Sequence, residues 1–456
     1  MPLTGRYCLA FLLVFAFGIM HRVLLLLALL TAAVAVSGQT KLVDATYTIY
    51  HSQNDGISLA EIVKLAFETN SEIKIAQLEV DRAKARLTQA GLRPNPTLEV
   101  EQASGRLVGS PGDGEFSTGI SVPLELFGQR NRRIERARAE IVLKEAEIAI
   151  RRREIVSHIV SDYADALSAF REIKILDEIT DIDLQTVRFV QIRVNEGETA
   201  PLELSLLQTE VERLRVQRQF VEGRLLTAIT KLKYFAGVPY EQPLRLREEL
   251  PTATFPSLPP STEVAIAVGL KSRPEIRVAE LEEQLGNAGL RLIRAEAKPE
   301  VSAFTKFSLS RSTIDLPTGS FPQDRDRNLL FGITIGLPVF DRKQGAKAEA
   351  AIVIRQAQER RTFAEGAIRN EIIIAFQQLE TARKALIALE TNVLPRSREN
   401  IETIRQVYRI GELKITDLLV EQRRLIDANR DVTETLTKKY KAEADLYIAL
   451  GLTFDN

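Results

Sequence analysis

Tryptophan is absent from this 456-residue chain, and its one cysteine (Cys8) and two methionines (Met1, Met20) all fall within the first twenty residues. The remainder has neither thiol nor thioether, which excludes a disulfide framework, Cys or Met metal sites and a cysteine nucleophile. Beyond that stretch lie three histidines, His21, His51 and His158, too few and too scattered for a His-rich zinc centre. Neither sign of charge is in excess, with 61 Lys plus Arg against 61 Asp plus Glu. No net field therefore draws the chain onto nucleic acid or an anionic membrane. Apolar residues make up 45% of the chain but aromatics only 6%. With Ala, Leu, Ile, Glu and Arg filling most positions, that balance suits long helices better than a compact enzyme core.

Long hydrophobic runs are missing too. Tyr7 to Ile19 and Val23 to Val36 are apolar but separated by His21 and Arg22, and each falls short of the ~20 residues that cross a bilayer as a helix. From Met20, a candidate start, the order is a basic flank, a Leu-rich run and small residues around Ala33, Ala35 and Ser37. That is the layout of a signal peptide over residues 1–38, cleaved between Ala35 and Gln39; a membrane anchor is the competing reading. Removing Arg6 and Arg22 leaves 59 basic residues against 61 acidic. An exported protein is expected, with a tail over residues 39–57.

The rest of the chain is a duplication. Gly119-Ile-Ser-Val-Pro-Leu-Glu-Leu-Phe127 returns as Gly332-Ile-Thr-Ile-Gly-Leu-Pro-Val-Phe340, "NEGETAPLEL" around Gly197 returns as "RIGELKITDL" around Gly411, and "LKYFAG" ending at Gly237 returns as "LYIALG" ending at Gly451. Pro96 matches Pro299, an offset of 203, whereas Gly119 matches Gly332 at 213, so the second copy carries about ten extra residues. The copies span residues 58–238 and 262–451. The joint between them, 239–261, holds Pro239, Pro243, Pro251, Pro256, Pro259 and Pro260 and reads as an extended linker; residues 452–456 form a C-terminal tail. A copy of about 190 residues is far longer than a solenoid repeat.

Each copy predicts a first helix (about Ser58 to Leu92, then Thr262 to Ala297), a β-hairpin, a very long helix, a turn and a second long helix. Ile134, Ile141, Ile148 and Ile155 stand seven apart, and Ile368, Ile372, Ala375, Leu379, Ala382, Leu386, Leu389 and Val393 step by three and four, the seam of a coiled coil. Strands are expected at about 97–104, 115–124, 300–310 and 328–338, because apolar and polar residues alternate there, as in Leu329, Phe331, Ile333, Ile335 and Leu337. The polar tract "SRSTIDLPTGSFPQDRDR" is expected as the longer hairpin loop, holding the ten extra residues. Outer-membrane strands need about 9–11 residues. Four strands cannot close a barrel, and eight would leave no lumen. Twelve, from a trimer, would.

These features resemble the TolC-type outer-membrane efflux channels over essentially the whole mature chain. The specific tracts are the turns "VNEGETAPLELS" and "YRIGELKITDLL", with the junctions "VPLELFGQR" and "LPVFDRKQG". Those junctions and "AGLRPNP" look most like the cobalt–zinc–cadmium (Czc-type) metal-efflux branch. The resemblance implies a mainly α fold with a transmembrane β-barrel: a homotrimeric, twelve-stranded barrel continued by a periplasmic α-helical coiled-coil tunnel. It also implies outer-membrane lipids around the barrel, a periplasmic adaptor and an inner-membrane RND-type pump as partners, and divalent heavy-metal cations as cargo. The lipid-bearing cysteine of some relatives is missing here.

By the same resemblance the two turns, about 195–203 and 409–417, are periplasmic tips, with Gly197, Glu198, Gly411 and Glu412 touching the adaptor. Asp417 takes the position of an acidic ring that constricts the tunnel, with Glu421 beside the place of a second ring, where Val420 stands. Tyr408 and Glu203 match a pair that bonds between neighbouring helices, and Leu413 replaces an arginine often found after the second turn. From the residues alone, Asp417 reads first as an ordinary solvated carboxylate at a helix start; the resemblance brings the ring reading level with it. The basic run Arg130, Arg132, Arg133, Arg136, Arg138 and Arg151 to Arg153 is interleaved with glutamates and reads as a solvated helix face, not a nucleic-acid site. No catalytic constellation, phosphate loop, cofactor site or metal site is present. A periplasmic coiled-coil scaffold or adaptor without channel activity is the alternative; it accounts for the helices but leaves the strands unexplained.

Overall fold

A computed structural model describes residues 50–105, 113–250, 252, 253, 255 and 258–452. The expected signal peptide, most of the N-terminal tail and the last four residues lie outside them. The first copy contains α1 (Leu59–Thr69), α2 (Ser71–Ala90), β1 (Thr97–Ser104), β2 (Gly114–Leu124), α3 (Gln129–Asn195) and α4 (Pro201–Ala236). The second contains α5 (Thr262–Ser272), α6 (Pro274–Glu296), β3 (Glu300–Leu316), β4 (Gly319–Gly336), α7 (Gln344–Ala388), a π-turn at Leu389–Val393, α8 (Leu394–Arg409) and α9 (Ile415–Ala449). With 67 residues, α3 is about 100 Å long at 1.5 Å per residue.

The expected first helix of each copy is in fact two helices, broken at equivalent residues for different reasons. Asn70 is extended (ψ 129°) and its side chain accepts a bond from the Glu72 amide, capping α2. Arg273 (ψ 126°) precedes Pro274, whose ring disfavours a helical residue before it. A second correction concerns the seam of α7. Ile368, Ile372, Ala375, Leu379, Ala382 and Leu386 are buried as expected, but Leu389 and Val393 are not; burial resumes at Leu394, Ile401 and Tyr408. The π-turn inserts one residue into the helical count, so the seam slips by one position where Pro395 would otherwise clash with the preceding turn.

The chain forms two compact units. Among the described residues, one comprises those up to Ile62 and those of Ile159–Thr254 and Arg383–Tyr440; the other comprises those of Val63–His158 and Phe255–Ala382 and those from Lys441 to Leu452. In the first, the Pro-rich joint is anchored: Leu246 and the Tyr50–Ile57 segment exchange backbone bonds, with the Leu246 amide donating to Tyr50 at 2.9 Å and the Ser52 amide to Leu246 at 3.0 Å.

In the second unit the four strands form one antiparallel sheet in the order β1-β2-β3-β4. The two hairpins are therefore joined edge to edge by β2 and β3. Register puts Leu98 opposite Ile120, Thr118 opposite Phe307 and Thr305 opposite Phe331, so most apolar residues of the four strands share one face, with Phe304 and Leu330 the large exceptions. On the other face lie Glu99, Glu101, Ser117, Lys306 and Ser308. The tract expected as a long polar loop is strand instead: β3 and β4 stay paired out to Leu316 and Gly319 around a two-residue turn, with one irregularity at Ser312/Thr313. Polarity misled there, because a hairpin needs only its backbone bonds, and beyond a bilayer's apolar band both faces can be polar.

The same unit holds a charge cluster around the buried Arg273, at the break before Pro274. Arg273 donates to Glu275 (2.9 Å), to Glu371 (2.8 Å) and to the Ala449 carbonyl (3.1 Å), while Arg153 meets Glu371 (3.1 Å) and Glu275 (2.8 Å). Burial opposes the charge on Glu371, yet the two guanidiniums hold its carboxyl below the usual range. Its contribution to stability is therefore present above the ordinary carboxylate range and lost as the pH falls through its own lower value. Arg273→Ala should cost on the order of 3 kcal/mol, read as a lower melting temperature of the helical circular dichroism signal. An unchanged melting curve would show that the cluster adds nothing.

Candidate functional site

The two inter-helix turns lie in one unit and end their helices alike. Gly197 has φ +79° and Gly411 φ +85°. The Glu198 amide donates to Arg193 O (2.9 Å) and the Glu412 amide to Val407 O (3.2 Å), each five residues back, closing α3 and α8 with the same left-handed cap. A Cβ at Gly197 would meet nothing within 4 Å, so glycine is required there by backbone angle, not by space. After each turn a helix restarts with an acidic residue in its first turn, Glu203 in α4 and Asp417 in α9.

Below the turns Val190, Leu207, Ile401, Tyr408, Ile415, Leu418 and Leu419 form one apolar cluster drawing on α3, α4, α8 and α9. Within it the Tyr408 hydroxyl donates to Glu203 Oε2 at 2.9 Å, linking the second copy to the first inside a single chain. Burial and that carboxylate push the phenol's pKa well up, so it stays a donor at any physiological pH. Asp417 is exposed, and its Oδ2 accepts from the Lys414 amide (3.3 Å), capping α9. Glu421 lies in a different environment from Asp417: it is 4% exposed and paired with Arg424 at 3.0 Å. Glu198 pairs with Arg193 at 3.4 Å, and Glu412 is exposed.

Two features were missed from the sequence. Arg193, in the last turn of α3, lies over the Phe189 ring (5.8 Å) and beside Gly411, where a Cβ would meet its guanidinium at 3.7 Å. It thus supplies a cation between the two turns from the first copy, where Leu413 offers none. The second feature is a row of buried polar residues. Continuing the seven-residue spacing past Ile155 gives Asp162, Ala169, Leu176, Asp183 and Val190, all buried; the sequence carried that signal, since two acids interrupt an apolar heptad. Gln422 Nε2 donates to Asp183 Oδ2 at 2.6 Å, and Lys231 pairs with Asp162 at 3.4 Å. Among the described residues no group of His, Cys, Asp and Glu is arranged to hold a metal ion, and no helix is long and apolar enough to cross a membrane.

An open-edged sheet with one mainly apolar face, in a chain whose two copies each contribute a pair of long helices, is the layout of an outer-membrane channel subunit. The model of the family described as outer membrane efflux protein matches residues 62–238 and 266–452, and the chain belongs to that family. It is 25% identical over 404 residues to the cobalt-zinc-cadmium resistance protein CzcC of Cupriavidus metallidurans, covering 87% of this chain and 90% of that one. Identity to the cation efflux system protein CusC of Escherichia coli O157:H7 is 26% over 408 residues, covering 86% and 85%. A crystal structure of CusC superposes with a TM-score of 0.70 at 21% identity, covering 89% of this chain and 94% of that one.

Burial raises the pKa of Asp183 to about 6; Glu210 adds to the rise, while the Gln422 bond and Arg405 oppose it. A raised carboxyl gives its full stabilisation below the ordinary aspartate range and loses it as the pH climbs through about 6. Asp183→Asn keeps an acceptor for Gln422 and removes the charge. The variant should gain on the order of 2–3 kcal/mol over wild type at alkaline pH and little at acid pH. Melting temperatures measured across the range check this, and a constant difference between the two proteins would contradict it.

Proposed function

We propose that three copies of this chain form the passive outer-membrane conduit of a tripartite efflux system. It would export divalent heavy-metal cations received from an inner-membrane RND-type pump through a periplasmic adaptor. The observation that carries the reading is the sheet: Leu98, Phe331 and Ile333 on its apolar face are 70%, 72% and 65% exposed, far more contiguous apolar surface than a water-soluble protein keeps. Four strands cannot close, whereas twelve enclose a lumen lined by the polar face. The cargo class is supported by the resistance and cation-efflux relatives. Energy comes from the pump, since the sequence carries no nucleotide motif.

In this reading Gly197, Glu198, Gly411 and Glu412 are the exposed tips that meet the adaptor. Asp417 from three chains faces the aqueous throat, where carboxylates attract cations and repel anions; Glu421, held by Arg424, serves the helix packing instead. Tyr408, Glu203 and Arg193 hold the two turns of each chain together.

Two experiments test this. In purified trimers in planar bilayers, Asp417→Asn should weaken cation preference and relieve block by divalent ions with little change in trimer yield, and Asp417→Lys should turn the preference toward anions. Unchanged selectivity and block would leave Asp417 as a helix cap only. Second, Gly197→Val with Gly411→Val forces a branched residue into a left-handed conformation at roughly 1–2 kcal/mol per site. Adaptor cross-linking and metal resistance should fall while trimers still assemble. Normal cross-linking would remove the tips from the docking surface.

A further inference from the structure

β1 and β4 each have one paired side and one open side within the chain. In a bilayer no such row of backbone N–H and C=O groups stays unpaired, so β4 of one copy must meet β1 of the next. The internal repeat says how. The β2–β3 pairing is the same kind of junction, second strand of one hairpin against first strand of another, and its register is fixed: Gly119 opposite Lys306, Val122 opposite Ala303, Leu124 opposite Val301. Carrying β2 onto β4 by the Gly119–Gly332 match, and β3 onto β1 by the Pro299–Pro96 match, converts each of these pairs into a pair across the seam.

We infer that the seam between copies places Ile335 of β4 opposite Val100 of β1 in the neighbouring copy, Ile333 opposite Gln102, Thr334 opposite Glu101 and Gly332 opposite Ala103. The observation behind it is that two independent properties agree. Leu98, Val100 and Gln102 lie on the apolar face by their pairing with Ile120, Thr118 and Phe116, and Ile333 and Ile335 lie on the same face by their pairing with Ala303 and Val301. The transferred register joins apolar face to apolar face and sets Thr334 and Gly332 against Glu101 and Ala103 on the other. A slip of one residue would turn every side chain of β1 to the wrong face. The small pair Gly332–Ala103 also leaves room for the Phe304 ring, which already covers Gly332 within the chain.

The two hairpins differ by one even step: Thr97 stands opposite Ser121, but its counterpart Glu300 stands opposite Gly336 where strict repetition gives Thr334. An even step preserves the faces, so the registers displaced by two residues are the competitors to test against.

This inference rests on the trimeric-barrel reading, and the experiment separates the two. In a Cys8→Ser background, Val100→Cys is combined with Ile335→Cys, and separately with Ile333→Cys and with Leu337→Cys. Outer-membrane fractions are oxidised with copper phenanthroline and run on non-reducing gels. Within one chain β1 and β4 are three strand spacings apart, about 14 Å, too far for a disulfide, so every cross-link joins copies. The 100/335 pair should form covalent dimers and trimers roughly tenfold faster than the displaced pairs, whose Cα atoms are offset by a further ~7 Å along the strand. A second pair, Gln102→Cys with Ile333→Cys, should behave like the first and guards against one variant failing to assemble. Faster linkage in a displaced pair overturns this register while keeping the barrel. Heat-sensitive trimers with no linkage in any pair overturn the β4–β1 seam, and the absence of trimers from the cysteine-free parent overturns the trimeric reading beneath it.

Discussion

The backbone groups left open along both edges of the four-stranded sheet are the constraint on which the rest depends. Water would satisfy them on a soluble protein, but the face beside them carries Leu98, Val100, Phe331, Ile333 and Ile335 and belongs in lipid, where an unmade hydrogen bond costs several kcal/mol. A chain with such a sheet is complete only among copies of itself. The duplication supplies the means: the fold already contains one hairpin-to-hairpin junction at β2–β3, so assembly repeats a contact the single chain has solved.

The helices answer a different requirement, which is to be long and still specify one packing. Heptad burial runs along α3 from Ile155 to Val190, with Asp162 and Asp183 taking two core positions. Polar groups at such positions sacrifice stability and fix register, because only one alignment gives them partners. Lys231 and Gln422 are those partners. The π-turn before Leu394 does related work in the second copy, shifting the seam by one residue so that Ile401 and Tyr408 enter the cluster beneath the turns. From there Tyr408 reaches Glu203, and the two copies are tied at their turns.

Much of this was legible in the residues. The Gly–Phe and Gly–Glu tracts betrayed the duplication, alternation gave the apolar face of the strands, and the absence of Pro and Gly between Gln129 and Asn195 gave α3. What the residues hid has physical reasons. The Asn70 and Arg273 breaks look like helix from composition, since one is decided by a local cap and the other by the ring of the next residue. The long ends of β3 and β4 look like loop because strand pairing needs no apolar side chains. At the turns, motif matching picks out Tyr408 and Glu203, which the structure joins by a hydrogen bond, but passes over Arg193, whose place beside Gly411 follows from long-range packing that no local pattern encodes; Asp183 shows only as an acid interrupting the heptad. The resemblance sets Glu421 beside the place of a second acidic ring, whereas in the structure it is buried and paired with Arg424, unlike the exposed Asp417.

The central claim is that the chain is a membrane-embedded oligomer. Fractionating cells that make the wild-type protein and running the membranes on a denaturing gel without heating is the most direct measurement. A trimer-sized band in the outer membrane that collapses to a monomer on boiling is the result expected. A monomer recovered in the soluble periplasmic fraction would contradict it, and would leave the sheet's apolar face and open edges without an explanation.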